Sequence, residues 1–285
     1  MQFVQVDVFA DAAFMGNPLA VFPDAEGFAT DQMQKIASEM NLSETTFVTA
    51  VDRDHYSVRI FTPAEELPFA GHPTIGTAWV LLHLGKLAGD EVFQESRAGT
   101  TPVTATDTEL WFTRGGDSEE DLRSSDKDAH GRLARALRIE ESAIGLDADR
   151  VGLGGTLLPA FSNAGLRQLV VPLRDLDALG DCSPRPELLA EFTSDGAYCF
   201  TTSGDGIRAR GFFPGLGVSE DPATGSAAGA LGLYLADRVG PVRVEVEQGV
   251  EMGRPSRIKL DAEPGTTKVG GTCVLVLNGE LANLP

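Results

Sequence analysis

The sequence predicts an α+β fold built from two similar halves. Strand-like and helical stretches are mixed along the whole 285-residue chain, which is typical of α+β domains. When the sequence is compared with itself at a shift of 149 residues, several identities align, among them Arg59 with Arg208 and Pro73 with Pro222. Both prolines precede the same order of Gly, Ala and spaced Leu residues, which indicates a duplicated unit. We therefore expect two pseudo-symmetric domains.

In the first half, alternating and β-branched residues predict four strands, and helical spacing of apolar residues predicts one amphipathic helix that starts near Asp31. Residues 74–85, TIGTAWVLLHLG, are apolar on nearly every side. A helix of this kind is buried all round, so we expect it at the centre of its domain. The predicted strands are residues 3–9, 19–22, 45–50 and 56–61, and the amphipathic helix is residues 30–40.

The second half repeats this mixture and is separated from the first by a polar segment. Residues 115–131, GGDSEEDLRSSDKDAHG, are acidic and poor in apolar side chains, as in a linker. We therefore predict an N-terminal half-repeat of residues 1–116 and a C-terminal half-repeat of residues 117–285, with the last strand able to return to the first domain. In the second half, strands are predicted at 168–171, 198–202, 207–212, 242–247 and 273–277, and helices at 186–192 and 224–238.

The charge of the chain argues against two classes of partner. Asp and Glu number 42 against 23 Lys and Arg, which gives a net charge of -19. Such a surface repels phosphate backbones and anionic lipids, so we expect neither nucleic-acid nor membrane binding. The N-terminal stretch MQFVQVDVFADAA has no basic region and is typical of a strand rather than of a secretory signal.

The spacing of cysteines and histidines predicts neither a disulfide framework nor a metal site. The three cysteines form no C-x-x-C pair, and the four histidines form no H-x-x-x-H pair. An odd number of widely spaced cysteines fits a reducing compartment, so we expect a cytoplasmic protein. The sequence also contains no G-x-G-x-x-G, no Walker loop and no G-x-S-x-G around Ser226. We therefore expect a site that works without a cofactor.

Two predicted helix starts form the first candidate site. If a pseudo-twofold axis relates the halves, the helices that begin near Pro73 and Pro222 present their N-termini to one cleft. Helix N-termini carry free N–H groups and a partial positive charge, so their convergence predicts a site for a carboxylate. Small residues would let a ligand approach the backbone there, although they also permit tight helix packing; they include Gly71, Thr224, Gly225 and Ser226.

Three ionisable residues are candidates for proton transfer in this cleft. At the repeat shift, His72 aligns with Asp221, so an ionisable residue stands before each paired proline. Glu44 lies in NLSETTFVTA, where a helix ends and a strand begins. A histidine and a carboxylate in one enclosed site suggest acid/base chemistry. The structural alternatives are that His72 is a loop histidine, Asp221 an N-cap residue and Glu44 a solvated loop residue. If Glu44 is enclosed, burial would raise its pKa and the helix ends would lower it.

Four strings of the sequence resemble the PhzF (phenazine biosynthesis) family, whose fold is that of diaminopimelate epimerase. They are VDVFADAAFMGNPLAVF, MNLSETTFV, FTPAEELPFAGHPTIGTA and FFPGLGVSEDPATGSAAGALGLYL, and they run in the family's order from residue 6 to about residue 234. The resemblance implies that each half is a curved sheet, or incomplete barrel, around a central helix, with the active site in the cleft between the domains. It also suggests a homodimer.

The resemblance implies an isomerase that needs no cofactor and acts on a small cyclic or amino-acid-like carboxylate. By the matching motifs, Glu44 is the general acid/base, and His72 and Asp221 hold the substrate and assist the proton movement. The best-understood reaction of the family moves hydrogen from C3 to C1 of trans-2,3-dihydro-3-hydroxyanthranilate and leaves an enol that becomes a ketone. We expect chemistry of this class.

The same resemblance assigns substrate binding to Ser226 and to the backbone N–H groups of Gly71 and Gly225. It also leaves two alternatives open. The related epimerases use two cysteines where this sequence has Ala70 and Ser226, which argues against a two-thiol racemase but not against an epimerase with other bases. The second alternative is a binding protein that has kept the cleft without turnover.

Overall fold

The computed structural model describes residues 1–122, 126–147 and 155–285. Within these ranges strands and helices are mixed along the chain, which confirms the predicted α+β class. The strands of the first half are β1 (Gln2–Val8), β2 (Asn17–Phe22), β3 (Glu44–Asp52), β4 (His55–Phe61), β5 (Glu66–Leu67), β6 (Glu91–Ser96), β7 (Gly99–Ala105), β8 (Leu110–Gly115) and β9 (Asp117–Asp121). The later strands are β10 (Leu146–Asp147), β11 (Thr156–Leu157), β12 (Ala160–Asn163), β13 (Arg167–Pro172), β14 (Ala197–Ser203), β15 (Gly206–Phe213), β16 (Val218–Asp221), β17 (Val242–Gln248), β18 (Ser256–Glu263), β19 (Thr266–Gly271) and β20 (Cys273–Glu280).

The helices are less numerous than the strands, and two of them are central. In chain order they are α1 (Thr30–Met40), α2 (Gly71–His83), α3 (Ala129–Leu137), α4 (Leu176–Gly180), α5 (Pro186–Leu189) and α6 (Gly225–Val239). Short 3₁₀ turns lie at Glu141–Ala143 and Pro214–Leu216.

Each half contains the same order of strand pairings. In the first half, β2 is parallel to β3, β3 is antiparallel to β4, and β4 is parallel to β6. In the second half, β13 is parallel to β14, β14 is antiparallel to β15, and β15 is parallel to β17. Parallel neighbours need a crossover connection, and the last crossover contains α2 in the first half and α6 in the second. This topology supports the duplication inferred from the sequence.

The two crossover helices are enclosed by sheet. Residues 225–236 of α6 are all buried, and so are residues 71–78 of α2. α2 packs against β1, β2 and β8, whereas α6 packs against β12, β18 and β19. Burial on every side, which the sequence predicted for residues 74–85, is confirmed for most of residues 74–81, whereas Leu82 is half-buried and residues 83–85 are exposed. No helix in the described ranges has the length and apolarity needed to cross a membrane.

The repeat has a different register in the structure than in the sequence comparison. Gly71 and Gly225, the first residues of α2 and α6, lie 154 positions apart. Gln94 and Gln248 are separated by the same 154 positions. Each accepts a hydrogen bond from a buried tyrosine and donates one to a threonine near the start of α2 or α6, respectively. Near the helix starts, the structural shift is therefore 154 residues and not 149.

This register changes the expected equivalence of two candidate residues. His72 is the second residue of α2, so its counterpart is Ser226, the second residue of α6. Asp221 is instead the last residue of β16, four positions before α6 begins. The alignment of His72 with Asp221 does not hold, because Pro73 lies inside the first turn of its helix whereas Pro222 lies before its helix.

The last strands of the chain complete the sheet of the first half. β19 pairs antiparallel with β8, and β20 pairs antiparallel with β1. Hydrogen bonding therefore links the beginning of the chain to its end. The division into residues 1–116 and 117–285 remains a prediction.

The acidic segment 115–131 contains regular structure. β9 occupies Asp117–Asp121 and pairs with β12, and α3 begins at Ala129. Cations from the second half offset the lack of apolar side chains: Arg167 forms a bidentate ion pair with Glu119, at 2.6 and 2.9 Å, and Arg238 donates to the Glu119 carbonyl. Residues 123–125 of this segment lie outside the described ranges.

Candidate active site

The starts of α2 and α6 meet backbone to backbone. A methyl group on Gly71 would lie 2.6 Å from the carbonyl carbon of Gly225 and would overlap the amide nitrogen of Ser226. A methyl group on Gly225 would lie 3.2 Å from the carbonyl carbon of Gly71. Only glycine permits this approach, because any side chain would push the helices apart. Two positively polarised helix ends are thereby held together.

Glu44 is placed beside these helix ends by a short turn. α1 ends at Asn41, which adopts a left-handed conformation with φ of 51°, and the chain reverses so that β3 begins at Glu44. β3 runs parallel to β2 with Glu44 opposite Leu19. The Glu44 side chain is only 14% exposed, so the alternative of a solvated loop glutamate is wrong.

Glu44 and His72 lie next to each other, and their facing atoms are buried. The Oε2 atom of Glu44 lies 3.4 Å from the Nε2 atom of His72, whose side chain is 3% exposed. Both atoms are buried, and neither makes a hydrogen bond within the described part of the chain. His72 lies in the first helical turn, so it is not a loop histidine.

Asn17 connects His72 to Asp221. Its Nδ2 atom lies 3.2 Å from Nδ1 of His72 and donates to Oδ1 of Asp221 and to the Ala223 carbonyl, both at 2.9 Å. The opposite orientation of the amide would place its oxygen against these two acceptor oxygens, which would repel it. The amide nitrogen therefore faces Asp221 and Ala223. An amide nitrogen cannot accept a hydrogen bond, so Nδ1 of His72 carries no proton where it faces Asn17, and the proton of the neutral ring is on Nε2.

Asp221 is held by a dense set of donors at the end of β16. Besides Asn17, Ser43 donates to Oδ1 at 3.1 Å, and Thr224 donates to Oδ2 at 2.5 Å. Gln248 donates to the Asp221 backbone carbonyl at 2.7 Å. Asp221 is therefore fixed by its neighbours, whereas the N-cap position of α6 belongs to Thr224.

Burial shifts the protonation of all three candidate residues. It raises the pKa of Glu44 well above the ordinary value, and the nearby charge of Asp221 raises it further. Burial also raises the pKa of Asp221 to about 6, although its hydrogen bonds from Thr224, Ser43 and Asn17 oppose this effect. Burial lowers the pKa of His72 to about 3, which keeps the imidazole neutral. Burial, rather than the helix ends, therefore determines the direction in which the pKa of Glu44 is shifted.

A narrow cavity of about 40 Å³ opens in front of Glu44 and Asp221. None of the residues lining it in the described ranges is a lysine or an arginine. The larger apolar residues of its lining include Leu166, Phe213 and Leu216. The remaining lining residues are Glu44, Thr62, Leu67, Ala70, Gln168, Val218, Asp221, Thr224 and Ser226. Apolar residues with a few polar groups among them are the usual lining of a small-molecule site, although a ring-bearing ligand would need a wider cavity than this one.

The structure brings the predicted residues together in two groups. Thr224 and Ser226 line the cavity, whereas Gly71 and Gly225 form the contact between the helix starts. The Thr224 hydroxyl is already engaged, since it donates to Asp221 and accepts from Gln248. Ser226 has no side-chain hydrogen bond among the described residues, so its hydroxyl is free to bind a ligand.

Four polar residues of the site were not predicted. Asn17 and Ser43 lie inside the motif strings GNPLAVF and NLSETTF, so their positions were marked but not their contacts. Gln168 begins a predicted strand, and Gln248 directly follows another. A polar residue at the end of an apolar strand is the signal that could have identified both.

Comparison with known proteins shows similarity over nearly the whole chain. The family profile PhzC-PhzF, described as phenazine biosynthesis-like protein, matches residues 6–279. The trans-2,3-dihydro-3-hydroxyanthranilate isomerase of Pseudomonas aeruginosa is 38% identical over 275 residues, which cover 94% of this chain and 92% of that protein. The crystal structure of a PhzF-family phenazine biosynthesis protein of Bacillus anthracis aligns with a TM-score of 0.83 at 25% identity, over 99% of each chain. A protein of Pseudomonas aeruginosa described as a predicted epimerase aligns with a TM-score of 0.81 at 28% identity, also over 99% of each chain.

Proposed function

The chain belongs to the PhzC-PhzF family of phenazine biosynthesis-like proteins and is an isomerase, and we propose that it moves a proton between two carbon atoms of a small cyclic carboxylate. The proposed substrate class is that of its Pseudomonas relative, whose name specifies trans-2,3-dihydro-3-hydroxyanthranilate. Glu44 is the proposed general acid/base. A homodimer and a cytoplasmic location remain proposals based on resemblance and composition.

The observation that supports this role best is the environment of Glu44. Its carboxyl group lines the cavity, is almost fully buried, and has an oxygen without a hydrogen-bond partner in the described structure. Burial and the charge of Asp221 raise its pKa. A carboxylate with a raised pKa is a stronger base, and its protonated form is a competent acid near neutral pH. One residue can therefore take a proton from one carbon and return it to another.

In the proposed reaction the single carboxyl group of Glu44 takes up one proton and gives one back. Ionised Glu44 takes the proton from the first carbon, and the electron pair of that C–H bond moves into the neighbouring double-bond system. Protonated Glu44 then returns the proton to the second carbon, which regenerates the carboxylate. The Nε2 atom of neutral His72 lies 3.4 Å from the Oε2 atom of Glu44 without a hydrogen bond to it among the described residues.

The carboxylate of the substrate needs positive polarity, which no lysine or arginine of the cavity supplies. The contacting starts of α2 and α6 provide it through their free backbone N–H groups. Ser226, at the second position of α6, adds a hydroxyl donor at the cavity wall. We propose that these groups hold the substrate carboxylate beside Glu44.

The test is isomerisation of trans-2,3-dihydro-3-hydroxyanthranilate in D2O, followed by ultraviolet absorbance and by mass spectrometry of the product. The wild-type protein is expected to convert it. Deuterium on carbon would show that protonated Glu44 exchanges with solvent before it returns the proton, and hydrogen on carbon would show direct return. Glu44→Gln removes the base while retaining its shape, so turnover should fall roughly 10²- to 10⁴-fold. Glu39→Gln, at an exposed position of α1, serves as the matched control and should retain activity. Full turnover by Glu44→Gln would refute the assignment.

The same experiment separates the two alternative functions. An epimerase would change optical rotation without changing ultraviolet absorbance. The similarity to a protein described as a predicted epimerase is the reason to make this measurement. A binding protein would show ligand affinity by calorimetry but no product after long incubation. The cavity residues Ala70 and Ser226 carry no thiol, so neither alternative involves a pair of cysteines at these positions.

A further inference from the structure

Gln168 extends from a strand into the cavity, on the side of the second half. It is the second residue of β13, and its side chain lines the cavity together with that of Leu166, two positions earlier. Side chains two positions apart along an extended chain share one face. The intervening Arg167 points the other way and pairs with Glu119. The strand therefore presents an apolar side chain and an amide, Leu166 and Gln168, to a bound ligand.

The amide of Gln168 is buried and unpaired. The residue is only 1% exposed, and its Oε1 atom is buried without a hydrogen-bond partner. Its Nε2 atom also makes no hydrogen bond to any described residue. Gln94 and Gln248 are buried amides as well, but both ends of each are hydrogen-bonded to protein groups. A buried amide without partners weakens a fold, so its presence indicates a ligand-binding role.

The polar residues of the cavity wall divide into two sets. Three of them are hydrogen-bonded to other parts of the protein: Thr62, Asp221 and Thr224. The other three have no side-chain hydrogen bonds within the described structure: Glu44, Ser226 and Gln168. The proposed function already uses Glu44 for proton transfer and Ser226 for the carboxylate. Gln168 is the remaining group available to the substrate.

We propose that Gln168 is a specificity-determining residue that binds a hydroxyl or amino substituent on the ring of the substrate. This inference rests on the proposed function, because it assumes a ring-bearing carboxylate in the cavity. A primary amide donates at one end and accepts at the other. A neutral hydroxyl or amino group also donates and accepts, so it satisfies the amide in either orientation. A carboxylate accepts only and is better matched by the helix starts.

The apolar wall determines how the ring would lie. Leu166 and Phe213 line the cavity near Gln168, and Leu216 completes that wall from the 3₁₀ turn Pro214–Leu216. Apolar side chains pack against a ring face and leave its substituents at the edge. The amide of Gln168, which lines the same cavity, can then distinguish rings with polar substituents from rings without them.

The first experiment compares stability without ligand. Gln168→Met retains size and removes only an unpaired amide, so its thermal midpoint should equal or exceed that of the wild type. Gln248→Met is the matched control, because it removes an amide with partners at both ends and should lower the midpoint. A Gln168→Met variant that loses as much stability as Gln248→Met would show a structural role and overturn the inference.

The second experiment measures binding by calorimetry with aromatic probes. The wild type should bind 3-hydroxyanthranilate more tightly than benzoate, which has neither polar substituent. Gln168→Met should lose about tenfold in affinity for 3-hydroxyanthranilate and nothing for benzoate. Anthranilate and 3-hydroxybenzoate then identify which substituent the amide binds. Equal loss for all four probes, equal affinity of variant and wild type, or no binding of 3-hydroxyanthranilate by the wild type would each overturn the inference.

The two proposals fail in different ways. If the wild type binds 3-hydroxyanthranilate through Gln168 but shows no Glu44-dependent isomerisation, the proposed catalysis fails while the specificity role stands. If isomerisation depends on Glu44 but Gln168→Met binds all probes as the wild type does, the specificity role fails while the proposed catalysis stands.

Discussion

His72 is fixed between Asn17 and Glu44, with Nδ1 3.2 Å from the Asn17 amide nitrogen and Nε2 3.4 Å from a Glu44 oxygen. The amide nitrogen cannot accept a hydrogen bond, so the ring proton is on Nε2. Burial lowers the pKa of the ring to about 3. His72 is therefore a neutral ring beside Glu44 rather than a cation.

This arrangement predicts the titration of His72. Its ¹⁵N resonances should show a neutral Nε2–H tautomer from pH 8 down to about pH 4.5, whereas an unperturbed histidine titrates near pH 6.5. The measurement is a two-dimensional ¹⁵N spectrum of the four histidines, with His72→Gln used to assign the resonance. Protonation of His72 near pH 6.5 would contradict the neutral role.

Asn17 should act as a positioning residue. Asn17→Leu removes the donor to Asp221 and leaves buried acceptors unpaired, which should cost about 1–3 kcal/mol of stability. Turnover should fall roughly 10- to 100-fold, because the proton-transfer groups lose their alignment. The specific readout is the His72 tautomer: without the amide, Nδ1 can hold the proton, so ¹⁵N spectra should show a mixture.

Ser43→Ala is the control for that prediction. It removes one donor to Asp221 and does not contact the His72 ring, so the tautomer should stay as in the wild type. If Asn17→Leu leaves the tautomer unchanged, Asn17 does not determine it.

The contact between the helix starts predicts a steric effect. Gly71→Ala would place a methyl group against Gly225 and Ser226 and should cost roughly 1–3 kcal/mol of stability or more, as overpacking does. Gly180→Ala is the matched control, because nothing lies within 4 Å of the added methyl group. Its effect should stay within about 1 kcal/mol. Urea denaturation of both variants makes the comparison, and equal stabilities would contradict the close contact.

Asp221 should destabilise the fold at neutral pH. Its pKa is near the ordinary value of about 3.9 in the unfolded chain and about 6 in the folded one, so the folded state binds the proton more tightly. The contribution of Asp221 to stability is therefore greatest below about pH 4 and falls as the pH rises to about 6. Asparagine does not titrate, so the stability of Asp221→Asn relative to the wild type should increase over this window.

The measurement is the free energy of unfolding of both proteins between pH 4 and pH 8, with the exposed Asp237→Asn variant as the control. Only the pH dependence of the difference is interpreted, because the substitution also alters hydrogen bonds with Thr224 and Ser43. A difference that is constant over the whole range would contradict the raised pKa.

Local pattern was sufficient to predict much of the fold. α1 occupies the predicted residues 30–40, because its amphipathic spacing and its end at Asn41 are both local signals. β18 was not predicted, although Ile258 and Leu260 alternate with charged residues along it. Its outward-facing charges dilute the apolar pattern, and pairing with β17 and β19 supplies the missing stabilisation.

The site was predictable only where one motif carries the chemistry. Glu44 and His72 each stand in a recognisable string, and the structure places them together. The contacts of Asn17 could not be predicted, because its partners His72 and Asp221 lie 55 and 204 positions away. The unpaired amide of Gln168 is likewise a property of the folded cavity and leaves no pattern in the sequence.

The pairing of β20 with β1 and of β19 with β8 has a consequence for how the chain is made. The ribosome releases the earliest strand some 270 residues before its neighbour β20 appears, so co-translational folding cannot finish the first sheet. Until β20 is synthesised, the edge of β1 that pairs with it stays unpaired in the nascent chain. Unpaired strand edges can pair with other chains and cause aggregation. Deleting the final strand would accordingly damage the opposite end of the protein and promote aggregation during synthesis.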